Sequence, residues 1–286
     1  MKRKAIVGLL FCMLLIPTII TSADTIDNEK TTANFNDDVP TWNEGNSWTF
    51  TVNDFWVDFN YGGNKISMNG KIDDFQWTVS DTSGSSYTVD IAGKITASFN
   101  ALIPIGGLFL NISGTLNPTW NRITGTIIFG KSNLEIEDFN AAITGIARIM
   151  FNPIPINFPI PIKITADSVF STPFPTFNFP LHILKFWNMP ELDIDTNINI
   201  GGILGLIKFP LPVMNVHYDW TPLAFSCLSQ DNINVEAGNF DTWKIQSLLF
   251  GYFEYWYAPS VGNIVQIEIN MPRGGITAEL KSTNYV

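Results

Sequence analysis

Histidine and cysteine carry most metal and nucleophile chemistry at neutral pH, and this chain holds only His182, His217, Cys12 and Cys227. A zinc site needs several such ligands converging on one ion, so no metal centre is expected. Cys227, His217 and Asp219 could be drawn as a triad. A solitary thiol inside Leu223-Ala224-Phe225-Ser226-Cys227-Leu228 reads instead as a small core residue. No G-x-S-x-G turn sets a serine beside a base. Asp193-Ile194-Asp195-Thr196-Asn197 opens like a calcium loop, but Ile198 stands where that loop needs glycine and Leu204 where its bidentate glutamate belongs. With Leu192, Ile194, Ile198 and Ile200 it makes an alternating strand with a polar outer face. The carboxylate pairs Asp37/Asp38, Asp73/Asp74 and Glu135/Glu137 have no assignable acid or base role, because that role depends on a separation in space. Gly106-Gly107, Gly201-Gly202 and Gly274-Gly275 lack the lysine and the strand-to-helix setting of a phosphate loop. A non-enzymatic protein with no cofactor is the expectation. Asn111-Ile112-Ser113 is the one N-glycosylation sequon.

What remains is apolar chemistry. The 286 residues are 45% hydrophobic and 15% charged, with 9 Trp and 22 Phe, against a usual charged share of about 25%. Such a chain is not disordered. Lys+Arg 16 against Asp+Glu 26 leaves a net charge of −10, which excludes a basic face able to follow a nucleic-acid backbone. Three apolar segments punctuated by Pro or Gly stand out: 101–110, 151–190 and 201–213. From Asn140 to Met189 the charged residues are Arg148, Lys163, Asp167 and Lys185, so the middle of the chain is both greasier and less acidic than its flanks. Proline removes ladder donors, so these segments are not expected to be central strands throughout. They read as buried crossover loops, or as an apolar gate or membrane-touching rim. Ile154, Ile156, Phe158, Phe174 and Phe177 are the candidate ligand-binding residues. Prolines would hold the backbone extended and leave these side chains free to meet a hydrophobic small molecule or a lipid.

Lys2, Arg3 and Lys4, the apolar run Ala5–Ile20 and the small residues Thr21-Ser22-Ala23 have the layout of a secretory signal over 1–23. Kept uncleaved, the run would be short for a bilayer core of about 30 Å. Residues 24–40 read as a flexible polar leader, and 41–286 as a single β domain with a Pro-rich apolar insertion at 151–190. A secreted or cell-surface protein is expected, with peripheral contact to a membrane or cell envelope. Cys12 falls within the signal, so Cys227 would have no partner for an internal disulfide.

The elements that must position these residues are strands. Tyr87, Val89, Ile91, Gly93, Ile95, Ala97 and Phe99 alternate with polar or small residues at period two. The apolar face is even-numbered at Trp48, Phe50 and Val52 and odd-numbered at Phe55, Val57 and Phe59, which predicts an extra residue at Asn53-Asp54. The same slip divides Ile66, Met68, Gly70 and Ile72 from Phe75, Trp77 and Val79, with Asp73-Asp74 at the junction. Further strands are predicted over 110–116, 124–129, 143–151, 162–170, 192–200, 214–220, 242–249, 252–257, 263–269 and 276–280. A short helix within 133–149 competes weakly, given Gly145 and the β-branched content. The fold class is all-β: a strongly curved antiparallel sheet, a half-barrel with long apolar Pro-rich loops.

Val235-Glu-Ala-Gly-Asn-Phe-Asp-Thr-Trp-Lys-Ile245 and Tyr255-Trp-Tyr-Ala-Pro-Ser-Val-Gly-Asn-Ile-Val-Gln-Ile-Glu268 resemble a pattern of secreted archaeal and bacterial β-sheet proteins of uncharacterised function. In those, V-x-A-G-x-F-D-T precedes Y-W-Y-x-P-x-V-G-x-I-V. Trp42-Asn-Glu-Gly-Asn-Ser-Trp-Thr-Phe50 is similar to their opening strand. The resemblance covers 42–50 and 235–268 and implies an architecture of the lipoprotein-carrier type, whose concave apolar face can hold acyl chains. The same residues have local reasons of their own. Gly238 supplies a positive-φ turn position, and Pro259 with Gly262 closes a hairpin. Binding of a hydrophobic ligand is the leading functional expectation, and a structural or adhesive surface protein is the alternative. Sugar stacking on Trp42, Trp56, Trp120 or Trp256 is a third.

Overall fold

The computed structural model describes residues 39–61, 64–105, 108–152, 157–189, 192–201, 214–220, 223–248 and 253–286. The chain is all-β, and its described strands form one antiparallel sheet. In chain order they are β1 (Ser47–Tyr61), β2 (Asn64–Asp81), β3 (Ser86–Ile105), β4 (Leu108–Leu116), β5 (Arg122–Gly130), β6 (Ile136–Asn152), β7 (Asn157–Phe174) and β8 (Phe186–Met189). There follow β9 (Leu192–Gly201), β10 (Met214–Trp220), β11 (Leu223–Val235), β12 (Gly238–Ser247), β13 (Phe253–Ala258), β14 (Asn263–Met271) and β15 (Gly274–Thr283). The lateral order is β10-β9-β7-β6-β4-β3-β2-β1-β15-β14-β13-β12-β11-β8. β5 continues the lane of β4, pairing with Ser86–Lys94 of β3 while β4 pairs with Ala97–Ile105.

Both expected slips are present. Across β1 and β2 the pairing moves from Val52↔Ile72 to Phe55↔Gly70, and β2 slips against β3 between Asp73 and Gln76. Val52, Phe55, Ile72 and Phe75 are all buried, so the extra residues keep the apolar face pointing inward through each break. Asp74 takes a positive φ of 50° at its bulge, a conformation that aspartate tolerates better than most residues.

The segment expected as a proline-rich insertion at 151–190 is strand over much of its length. β7 carries Pro159, Pro161 and Pro173 and is paired with β6 over most of its length. β9 covers only Lys163–Phe170 of its other side. All three prolines therefore lie where β7 has one described neighbour, and Pro104 of β3 likewise lies beyond the last pairing with β2, at Leu102. The rule against proline in doubly paired strand holds, and what the sequence hides is where each ladder stops. Among the described residues of 151–190, the proline-rich stretch without strand is 175–185. Two strands, β8 and β11, were not legible as such, and 133–149 is turn and β6 rather than helix.

At the end of the sheet where β1 begins, the chain's first and last described segments meet. The Trp48 indole donates to Val261 O at 2.7 Å and the Trp42 indole to Gly262 O at 2.9 Å. Both rings are buried, and Trp42 lies 5.0 Å from Trp48 and 5.1 Å from Tyr87 between ring centres. Gly262 has φ 60°, and a Cβ there would meet the Tyr285 ring at 2.6 Å. The two stretches of the chain that carry the resemblance are thus bonded to each other, which explains their residue types structurally.

Candidate apolar binding site

Behind that clamp lies an apolar cavity of about 50 Å³. Strand alternation supplies its walls: Phe50 from β1, Phe75 and Trp77 from β2, Phe129 from β5 and Ile276 from β15. The segment 175–185 supplies Thr176 and Phe177, and its course explains why it lies there. It joins β7, third from one edge of the sheet, to β8 at the opposite edge. Phe177 packs edge-on against Tyr257 at 5.1 Å and Tyr255 at 5.8 Å, and Phe179 against Tyr257 at 5.5 Å. The Tyr255 hydroxyl donates to Thr176 O at 2.5 Å. Burial pushes the Tyr255 and Tyr257 phenols above their ordinary range, so both are neutral donors at any physiological pH.

Three residues that line this cavity each carry a buried polar atom without a partner. Trp77 Nε1, Thr176 Oγ1 and Asn263 Nδ2 are buried without a hydrogen bond, and all three residues line the space. Asn263 uses its Oδ1 to accept from the Ile264 amide at 2.7 Å, which leaves the amide nitrogen as a donor. An unmade hydrogen bond at a buried group costs about 1–3 kcal/mol. The three residues come from separate parts of the chain and meet around one apolar space.

The five residues singled out by sequence divide. Phe174, at the end of β7, and Phe177 are buried, 1% and 4% exposed, and Phe177 lines the cavity. Phe158 sits in β7 opposite Ile149. Sixteen residues of strand separate it from Phe174, roughly 50 Å of extended chain, so Phe158 does not join Phe174 and Phe177 at one mouth. Ile154 and Ile156 lie outside the described residues. The polar trio was not found from sequence, since isolated Trp, Thr and Asn residues carry no local signal.

The other chemical candidates resolve structurally. Cys227 is buried in β11, while His217 and Asp219 belong to β10 at the far side of the strand order. Asp193, Asp195 and Asn197 pair in β9 with Asp219, His217 and Asn215 of β10, a ladder and not a loop. Asp74 is an anchor: Lys94 Nζ donates to it at 2.6 Å and Lys281 Nζ at 3.0 Å, tying the β2 bulge to β3 and β15. Trp42 and Trp256 are buried, which removes them as sugar-stacking platforms; Trp120 is 51% exposed.

No family model matches the chain, and neither a curated protein nor a solved structure matches it.

Proposed function

We propose that this is an exported, non-enzymatic protein that binds a neutral hydrophobic molecule bearing a hydrogen-bond acceptor, such as an acyl ester, in the concavity of its sheet. The observation that carries the reading is an apolar cavity three of whose lining residues, Trp77, Thr176 and Asn263, carry a buried polar atom without a partner. Among the described residues no charged side chain lines that space, so a carboxylate or phosphate head would be left unpaired there, whereas an ester carbonyl could accept from a lining donor. Chain length supports the curvature. From β7 to β8 a flat sheet would span eleven strand spacings, about 50 Å. The eleven residues of 175–185 reach about 40 Å at most, which favours a sheet bent enough to bring β8 within their span.

The cavity is too small for a chain-like ligand while Phe177 occupies its wall, since even benzene uses a cavity of about 150 Å³. Binding therefore requires 175–185 to move outward. A pyrene-labelled fatty-acid methyl ester, titrated against the exported protein, tests this. Phe177→Ala is expected to tighten binding by removing the internal competitor. Thr176→Val is expected to weaken the ester up to about tenfold, one hydrogen bond's worth, while leaving a pyrene-labelled alkane unchanged. Absence of ester binding by both the parent and Phe177→Ala defeats the proposal.

One observation favours the alternative, a structural or adhesive surface protein: Phe174 and Phe177 are packed as tightly as core. On that reading Phe177→Ala does nothing but destabilise, by about 3–5 kcal/mol. Native mass spectrometry of the exported chain reads both points at once, a co-purifying ligand and whether the protein starts at Asp24.

A further inference from the structure

The strand register places three hairpin ends, β1–β2, β3–β4 and β6–β7, at the end of the sheet away from Trp48. Two observations about that end go together. The first is apolar exposure: Phe109 of β4 is 65% exposed and Met150 of β6 is 48% exposed. Ser113 stands directly opposite Met150, and Phe109 lies four residues further along β4 toward the hairpin end. No charged residue occurs between Lys94 and Arg122, or between Arg148 and Lys163, the stretches that make up most of the two apolar hairpins.

The second is unused positive charge. Among the described residues, Lys71, Lys94, Lys244 and Lys281 pair with carboxylates. Arg122, Lys131 and Lys185 donate to backbone carbonyls. The four remaining cations, Lys65, Arg148, Lys163 and Arg273, have no such partner and are exposed. Arg148 lies two residues before Met150 on β6, Lys65 stands at the start of β2 and Arg273 beside Asp58 of β1, whereas Lys163 pairs with Thr144 in the middle of the sheet. Lys65 and Arg273 line an open groove of about 610 Å³ with Asp58, Asn100, Leu102 and Asn111. The groove forms where the turn between β14 and β15 stops beside β1, the Asp58 amide donating to Arg273 O at 2.9 Å, and β1 to β4 run on past it. The side chains of Asn100 and Asn111 are also without hydrogen bonds among the described residues. Among the described residues, a chain of net charge −10 thus keeps three of its four uncommitted cations toward the end that exposes Phe109 and Met150.

We propose that this end of the sheet docks on an anionic lipid surface, with Phe109 and Met150 entering the interface and the Lys65–Arg273 groove taking a lipid headgroup. An apolar protein partner would account for Phe109 and Met150 but not for the free cations Lys65, Arg148 and Arg273. An anionic bilayer accounts for both, because cations at the headgroup level and apolar side chains below it are complementary to its two layers. The surface shares no described residue with the interior cavity, so it stands or falls independently of the ligand proposal.

The test is vesicle co-sedimentation of the exported protein, comparing phosphatidylcholine alone with phosphatidylcholine containing phosphatidylglycerol. Binding is expected to the anionic vesicles only and to weaken with salt. The double variant Phe109→Glu with Met150→Glu should lose at least tenfold. Lys65→Ala and Arg273→Ala should each lose about fivefold. Trp120→Glu, which removes an exposed aromatic residue away from this end, should bind as the parent does. Circular dichroism and melting temperature confirm that each variant is folded. Equal binding to both vesicle types, no loss in the Phe109/Met150 variant, or a solution dimer abolished by that variant would overturn the proposal.

Discussion

At one end of the sheet the Trp42 and Trp48 indoles are committed to the carbonyls of Gly262 and Val261, and Tyr285 stacks on Trp48 at 5.9 Å. At the other end, where β3 turns into β4 and β6 into β7, Phe109 is 65% exposed, and Lys65, Arg148 and Arg273 toward that end have no side-chain partner among the described residues. The aromatic content of the chain is spent differently in the two places. In the first, rings from residues more than 200 positions apart exclude water from each other and satisfy their own N–H groups, which is what fixes a β-sheet against fraying. In the second, side chains of the same apolar type face solvent on hairpins that reach past their neighbours, and no described element covers them. Stability is concentrated at one end, leaving the other free for contact.

Paired truncations probe that contrast most strongly. Trp48→Ala removes a fully buried ring and its hydrogen bond and is expected to cost about 3–5 kcal/mol, visible as a large drop in melting temperature. Phe109→Ala at the other end should stay within about 0.5 kcal/mol of the parent. Equal losses would show that the two ends are equally engaged in holding the fold.

A smaller effect separates two glycines that both have positive φ. At Gly238, φ 135°, a Cβ would meet the Phe240 ring at an ordinary 3.9 Å, whereas at Gly262, φ 60°, it would meet the Tyr285 ring at 2.6 Å. Valine at 238 should cost about 1–3 kcal/mol from backbone strain alone. Valine at 262 should cost more, because it must also displace Tyr285 from Trp48, and Trp48 fluorescence should report the displacement. A loss at 262 no greater than at 238 would mean that Tyr285 moves aside freely.

The smallest effect concerns the anchoring of the β2 bulge. Hydrogen bonds from Lys94 and then Lys281 hold the Asp74 carboxyl below its ordinary value. A carboxylate with a lowered folded pKa stabilises the protein above its unfolded value, and the stabilisation is lost as the pH falls toward the folded one. Asp74 is 43% exposed, so solvent screening keeps the gain below about 1 kcal/mol. Asp74→Asn should therefore lower stability slightly at neutral pH and flatten its decline between about pH 4 and lower values. Parallel acid-unfolding curves for parent and variant would remove Asp74 from the account.

Much of this was legible locally. Period-two alternation gave the strand class, because side chains of a pleated chain alternate between faces whatever the strand pairs with. Both bulges were visible as parity slips at Asn53-Asp54 and Asp73-Asp74, since the buried face had to be recovered after each. Gly238 and Gly262 were readable from turn chemistry. Strand β11 was not legible, because its first half is apolar on both faces and its second is polar. Proline misled at 157–174 for a reason beyond any local rule: whether a missing N–H matters depends on whether a neighbouring strand reaches that residue.

The sequence by itself determined that this chain forms antiparallel sheet with one apolar face, because side-chain alternation and turn stereochemistry act over a few residues. Only the tertiary structure decided which residues meet. The Trp77–Thr176–Asn263 trio, the Trp42–Gly262 bond and the cations toward the Phe109 end are set by strand register and by the one connection that crosses from β7 to β8. Register is a cooperative property of the whole sheet, in which each ladder fixes the next, so no window of sequence contains it.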